Sequence, residues 1–124
     1  MKKGGLSIVV VDDDPEIREV LELALGAEGY SVEVAKDRNS ATEIILKTNP
    51  SVILLDYYMN GINADDFIAD LRGRAIATPI ILMTGAHDAA DKAKELGLRY
   101  VLPKPFDLDA LLDLVRTCEP CLPN

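Results

Sequence analysis

Apolar residues fall along this chain in two rhythms. Ser7-Ile-Val-Val-Val11 is a short β-branched run, the mark of a strand buried on both faces. Three aspartates stop it. Asp14, Pro15 and Glu16 then read as a helix start: a capping oxygen, a proline where no amide hydrogen is needed, and an acid near the positive end of the dipole. Ile17, Val20, Leu21, Ala24 and Leu25 recur at helical spacing, with Gly26 or Gly29 as the stop. Four further rounds follow. Val32 to Ala35 predicts a strand, and Ala41, Ile44 and Ile45 one face of a helix broken by Asn49-Pro50. Val52 to Leu55 ends in Asp56, and Phe67, Ile68 and Leu71 predict a helix closed by Gly73. Ile80 to Met83 ends in Thr84, and an alanine-rich helix over Ala89 to Leu96 stops at Gly97. Tyr100 to Leu102 leads into Pro103-Lys104-Pro105, and Asp107 caps a last helix carrying Leu108, Leu111, Leu112 and Val115.

Five strands thus alternate with five helices. Right-handed crossovers between short loops require a parallel sheet with helices on both faces, and five strands fit the flavodoxin-like, doubly wound order 2-1-3-4-5. Ligands of such sheets sit beyond the carboxyl ends of the strands. The 124 residues suit a single domain over 1–124, with a core over about 6–117 and a tail over 118–124. Composition adds exclusions. A net charge of −8 opposes direct binding to nucleic acid or an anionic membrane surface. No apolar run has bilayer-spanning length, and the early aspartates do not fit a signal peptide, so no membrane insertion and a cytoplasmic location are expected. Cys118 and Cys121 share the tail and cannot staple distant segments.

The chemistry stands just past the strand ends: Asp12 and Asp13 after the first, Asp56 after the third, Thr84 after the fourth and Lys104 after the fifth. The first and third strands are neighbours in this order, so three carboxylates share a small volume, where repulsion is costly unless a cation is shared. Hard oxygen donors suit Mg²⁺. A metal, a lysine and a hydroxyl together can stabilise the oxygens of a transferring phosphoryl group, with a carboxylate as nucleophile.

Val10-Val-Asp-Asp-Asp-Pro15, Leu54-Leu-Asp-Tyr-Tyr-Met-Asn-Gly61, Ile81-Leu-Met-Thr-Gly85 and Leu102-Pro-Lys-Pro-Phe106 resemble the four motifs of the receiver domain of bacterial two-component response regulators. The resemblance covers nearly the whole chain. It implies that Asp56 accepts a phosphoryl group from the phosphohistidine of a sensor histidine kinase or a histidine phosphotransfer protein, as a signalling switch and not an enzyme in the ordinary sense. Asp13 and Asp56 would bind Mg²⁺ (or Mn²⁺) directly, Asp12 through water, and the carbonyl of Tyr58 would be a further ligand. Thr84 and Lys104 would contact phosphoryl oxygens, and the Lys104-Pro105 bond would be cis. Phosphorylation would remodel the surface of the fourth helix, fifth strand and fifth helix, regulating a target protein or an effector domain. The domain would be stand-alone or part of a larger protein.

Some positions depart from that pattern. The loop after the acceptor reads Met59-Asn60-Gly61-Ile62-Asn63-Ala64 without the usual proline, which predicts a more mobile segment. Val101 occupies the usual position of a switch aromatic, and the adjacent Tyr100 points to the other face of its strand. Tyr58 and Ala86 flank the path of hydrolytic water in the family, and a bulky tyrosine beside an alanine predicts slow self-dephosphorylation. Asp12-x-Asp14 after an apolar strand also resembles the opening motif of haloacid dehalogenase phosphatases, in which Asp12 would carry the phosphate. That reading leaves Asp56 unexplained. A phosphorylation-independent interaction module and a flavin carrier are weaker: the first ignores the acidic pocket, and the second lacks a phosphate-cradling loop.

Overall fold

The computed structural model describes residues 6–85 and 89–118. In chain order the elements are β1 (Ser7–Val11), α1 (Pro15–Ala27), β2 (Ser31–Ala35), α2 (Arg38–Thr48), β3 (Val52–Asp56), β4 (Tyr58–Met59), β5 (Ile62–Asn63), α3 (Asp65–Gly73), β6 (Ile80–Thr84), α4 (Ala89–Glu95), β7 (Tyr100–Pro103) and α5 (Leu108–Cys118). The main sheet runs β2-β1-β3-β6-β7 with every pairing parallel. This is the flavodoxin-like order expected from strict alternation.

Both faces of the sheet are covered, which is why its central strands are apolar throughout residues 8–11, 52–55 and 80–83. Val9, Val11, Ile53, Leu55 and Leu82 point to one side and pack with Ile45 of α2, Phe67 and Leu71 of α3 and Ala93 of α4. Ile8, Val10, Leu54, Ile81 and Met83 point to the other and meet Leu21 and Leu25 of α1 and Leu111 and Val115 of α5. A fully buried side chain of this size contributes roughly 1.5–3 kcal/mol. The outer strands differ. β2 exposes Glu33 midway along its length, and β7 ends on Pro103, which pairs in register with Thr84.

The helix ends follow the sequence signals. Asp14 caps α1 by accepting from the Glu16 amide at 2.9 Å, with Pro15 in the first helical position. Asp37 caps α2 through the Ser40 amide, and Asp107 holds the start of α5 through the Ala110 amide at 2.7 Å. Asn49 ends α2 at φ 48°, and Gly97 follows α4 at φ 73°. The Lys104-Pro105 bond is cis, as the resemblance implied.

Three expectations need correction. Cys118 is not the first residue of a tail: it closes α5 and is buried. Cys121 lies outside the described residues, as do Ala86 and His87. Val20 and Leu108, which share the helical periodicity of buried neighbours, stand 49% and 41% exposed, because both line an open groove between α1 and the β7–α5 connection. The stretch after β3, read as a loop, is a hairpin, β4 antiparallel to β5. Asn60 at φ 55° and Gly61 at φ 76° supply the two positive angles a type I′ turn needs.

Candidate metal centre at the strand ends

Parallel strands all end on one edge, and this edge gathers the acidic residues. β1 pairs with β3 so that Val11 lies opposite Leu55, which puts the residues that follow, Asp12 and Asp56, side by side. The carboxylates of Asp12, Asp13 and Asp56 each offer an oxygen within 4.8 Å of the others. Lys104, just past β7, crosses the strand ends to reach them: its Nζ lies 3.1 Å from Asp12 Oδ2 and 3.3 Å from Asp56 Oδ1. Its own amide donates to the Thr84 carbonyl at 2.8 Å, fixing the loop to the end of β6. The structure therefore assembles Asp12, Asp13, Asp56 and Lys104 as expected, and places Thr84 at the same edge, 2% exposed.

The three aspartates are held differently. Asp12 is fully buried; its Oδ1 accepts from the Asp14 amide at 2.9 Å, its Oδ2 from Lys104, and its carbonyl from Arg18 Nη1. Both of its carboxylate oxygens are committed, which disfavours Asp12 as a nucleophile. Asp13 is exposed, with Oδ2 accepting from the Asn60 amide at 3.1 Å across the hairpin turn. Asp56 is 7% exposed. Its burial, together with the Asp12 charge, pushes its pKa from 3.8 to about 6, against the opposing pull of Lys104. Burial works to lower the Lys104 pKa, but Asp12 and Asp56 outweigh it and hold the ammonium above its ordinary range. An edge where one carboxylate resists ionisation and hard oxygens converge fits a divalent cation.

Tyr58 opens β4, its side chain 56% exposed beside the acidic edge. Tyr57 turns inward, donating its hydroxyl to Asp65 Oδ1 at 2.8 Å. Val101 packs with the α2–α4 side of the sheet and Tyr100 with the α1–α5 side, the opposition expected from strand alternation. A groove of about 540 Å³ runs next to Lys104 between α1 and the β7–α5 connection, lined by Ile17, Val20, Leu21, Pro105, Phe106 and Leu108. Sequence reasoning missed this groove and the hairpin contact to Asp13; the Asn-Gly pair at 60–61 was the available signal for the hairpin.

Comparison with known proteins places this geometry. The family described as response regulator receiver domain matches residues 8–116. Response regulator MprA of Mycobacterium tuberculosis is 36% identical over 114 residues, covering 90% of this chain and 50% of that protein. The chain thus spans about half the length of the curated relatives it matches. Among solved structures, the chemotaxis response regulator CheY4 of Vibrio cholerae superposes with a TM-score of 0.83 at 28% identity, covering 92% of this chain and 98% of that one. The response regulator TrrA of Thermotoga maritima, solved in complex with Mg(2+)-BeF, gives 0.80 at 28% identity, covering 91% and 98%.

Proposed function

This chain belongs to the response regulator receiver domain family, and from that premise we propose that it is a phosphoryl-accepting switch in which Asp56 is the acceptor. The observation that carries the proposal is the convergence of Asp12, Asp13 and Asp56 under the Lys104 ammonium. An Asp56 oxygen attacks the phosphorus of a phosphohistidine; an O–P bond forms as the P–N bond breaks, and the imidazole leaves with the electron pair. Lys104, already 3.3 Å from the attacking carboxylate, moves with the incoming oxygens, and the Thr84 hydroxyl donates to another. Asp13, Asp56 and the Tyr58 carbonyl would hold Mg²⁺ or Mn²⁺ directly, with Asp12 acting through water. When bound, the ion supplies the positive charge that makes an acidic edge hospitable to a phosphoryl group. The Mg(2+)-BeF complex of the similar TrrA supports this assignment.

The donor is a sensor histidine kinase or a histidine phosphotransfer protein. The output is a change on the α4, β7 and α5 surface that regulates a target protein or an effector domain. The net charge of −8 disfavours direct nucleic-acid binding by this domain. Among the described residues no helix is long and apolar enough to cross a membrane, and the expected setting is the cytoplasm.

The test is incubation with acetyl phosphate and Mg²⁺, followed by intact-mass and peptide-mass measurement. One phosphoryl group on Asp56, absent from Asp56→Asn, is the expected result. Phosphate on Asp12 would favour the phosphatase reading, and no modification with or without Mg²⁺ would refute the switch.

A further inference from the structure

We propose that Arg38, remote in sequence from every acidic residue of the edge, is a positioning residue for the metal centre and acts through the β4–β5 hairpin. The inference rests on the metal assignment above and concerns how the chain keeps two of its proposed ligands in place.

Two residues per strand is too little pairing to hold a hairpin by itself. This one nevertheless bears on the centre twice. Tyr58, whose carbonyl is a proposed ligand, opens β4, and the Asn60 amide in the turn donates to Asp13 Oδ2 at 3.1 Å. Something must fix its far strand. Met59 anchors one side chain in the core, and at the far end Asn63 Oδ1 accepts from the Asp65 amide at 3.0 Å ahead of the buried Ala64, but Ile62 between them is 61% exposed and adds no side-chain anchor. Between the hairpin and the start of α2 lies an open cleft of about 210 Å³. Arg38, the first residue of α2, spans it, and its Nη2 donates to the Ile62 carbonyl at 2.8 Å.

A second observation shows that this reach is costly. Arg38 Nε is buried and meets no protein acceptor among the described residues, so the guanidinium is committed to the cleft rather than to open solvent. The guanidinium gives up the solvation of one nitrogen to place another on a backbone carbonyl. The Thr42 hydroxyl donates to the Arg38 carbonyl at 2.9 Å, and Asp37 caps the same turn, so the arm starts from a firm base. The chain of contacts therefore runs from α2 through Arg38, Ile62 and the turn to Asp13.

The test compares the wild type with Arg38→Met and Arg38→Lys. Methionine keeps an apolar stem and removes both the Ile62 anchor and the unsatisfied Nε, so it leaves the fold intact. Lysine retains a donor. Mg²⁺ affinity is read by calorimetric titration with magnesium chloride, and amide hydrogen exchange at Asn60 is read in chelator-treated protein. Arg38→Met is expected to bind Mg²⁺ several-fold more weakly, short of the roughly tenfold loss typical when a direct partner of a metal ligand is removed, with faster Asn60 exchange and little change in melting temperature. Arg38→Lys should recover part of the affinity. A purely structural role would lower the melting temperature and spare the affinity; Arg38→Met affinity within about twofold of wild type overturns the proposal. A wild type that itself takes up no Mg²⁺ refutes instead the metal assignment beneath it.

Discussion

Asp56 should make the metal-free protein less stable than it would be without that charge. Its pKa rises from 3.8 to about 6 on folding, so between those values the folded state keeps a proton that the unfolded chain releases. Stability therefore falls as pH rises through this window and stays lower above it. At 1.36 kcal/mol per pH unit, the full penalty at neutral pH is about 3 kcal/mol. Asp56→Asn removes it while keeping an oxygen for Lys104, although the new amide hydrogens need partners, which brings the expected net gain to about 1–3 kcal/mol. For a domain this size that is a rise of about 5–12 °C in Tm. The assay is thermal melting in chelator-treated buffer at neutral pH and again near about pH 3, below the unfolded value of 3.8, where the acid is mostly protonated in both states and the gap should close. Mg²⁺ should stabilise the wild type and narrow the gap at neutral pH, because an ion bound only by the folded state adds to its stability. A variant no more stable than wild type at neutral pH, or a gap that persists on acidification, would refute the electrostatic account of this edge.

Other outcomes follow from the same geometry. Lys104→Met removes the ammonium that pairs with both the Asp12 and Asp56 carboxylates, so the Asp56 titration followed by carboxylate NMR should move above about 6, and phosphorylation by acetyl phosphate should slow. Asp14→Ala deletes the α1 cap and should cost about 1 kcal/mol in denaturant unfolding while leaving Mg²⁺ affinity unchanged. Leu54→Ala, at a fully buried position between β3 and the α1–α5 layer, should cost about 2–5 kcal/mol in the same assay. A Tyr58→Asn, Ala86→Glu double variant should lose its phosphoryl group several-fold faster than wild type in Mg²⁺ buffer; equal decay would remove Tyr58 and Ala86 as the cause of a long-lived signal.

The sheet was legible because buried parallel strands leave no polar gap: Val52 to Leu55 reads as a strand whichever face is considered, and each such run ends in a residue of the acidic edge. Asp14, Asn49 and Asp107 marked helix ends by chemistry that acts over a few residues, so sequence distance was no obstacle. What stayed hidden depends on contacts across the fold. Nothing in the spacing of Arg38 and Ile62 announces a hydrogen bond between them, and Val20 and Leu108 share the periodicity of their buried neighbours. The raised pKa of Asp56 was equally invisible, since burial and the approach of Asp12 exist only once β1 and β3 are paired.

The outer strands of the sheet carry one more consequence. Each open border of a β-structure invites another polypeptide to extend it, the opening move of fibril growth. Here one border sets a glutamate, Glu33, in the middle of its strand, and the other finishes on Pro103, which has no hydrogen to lend a newcomer. Both borders thus discourage a neighbouring copy of the chain from zipping on as a further strand.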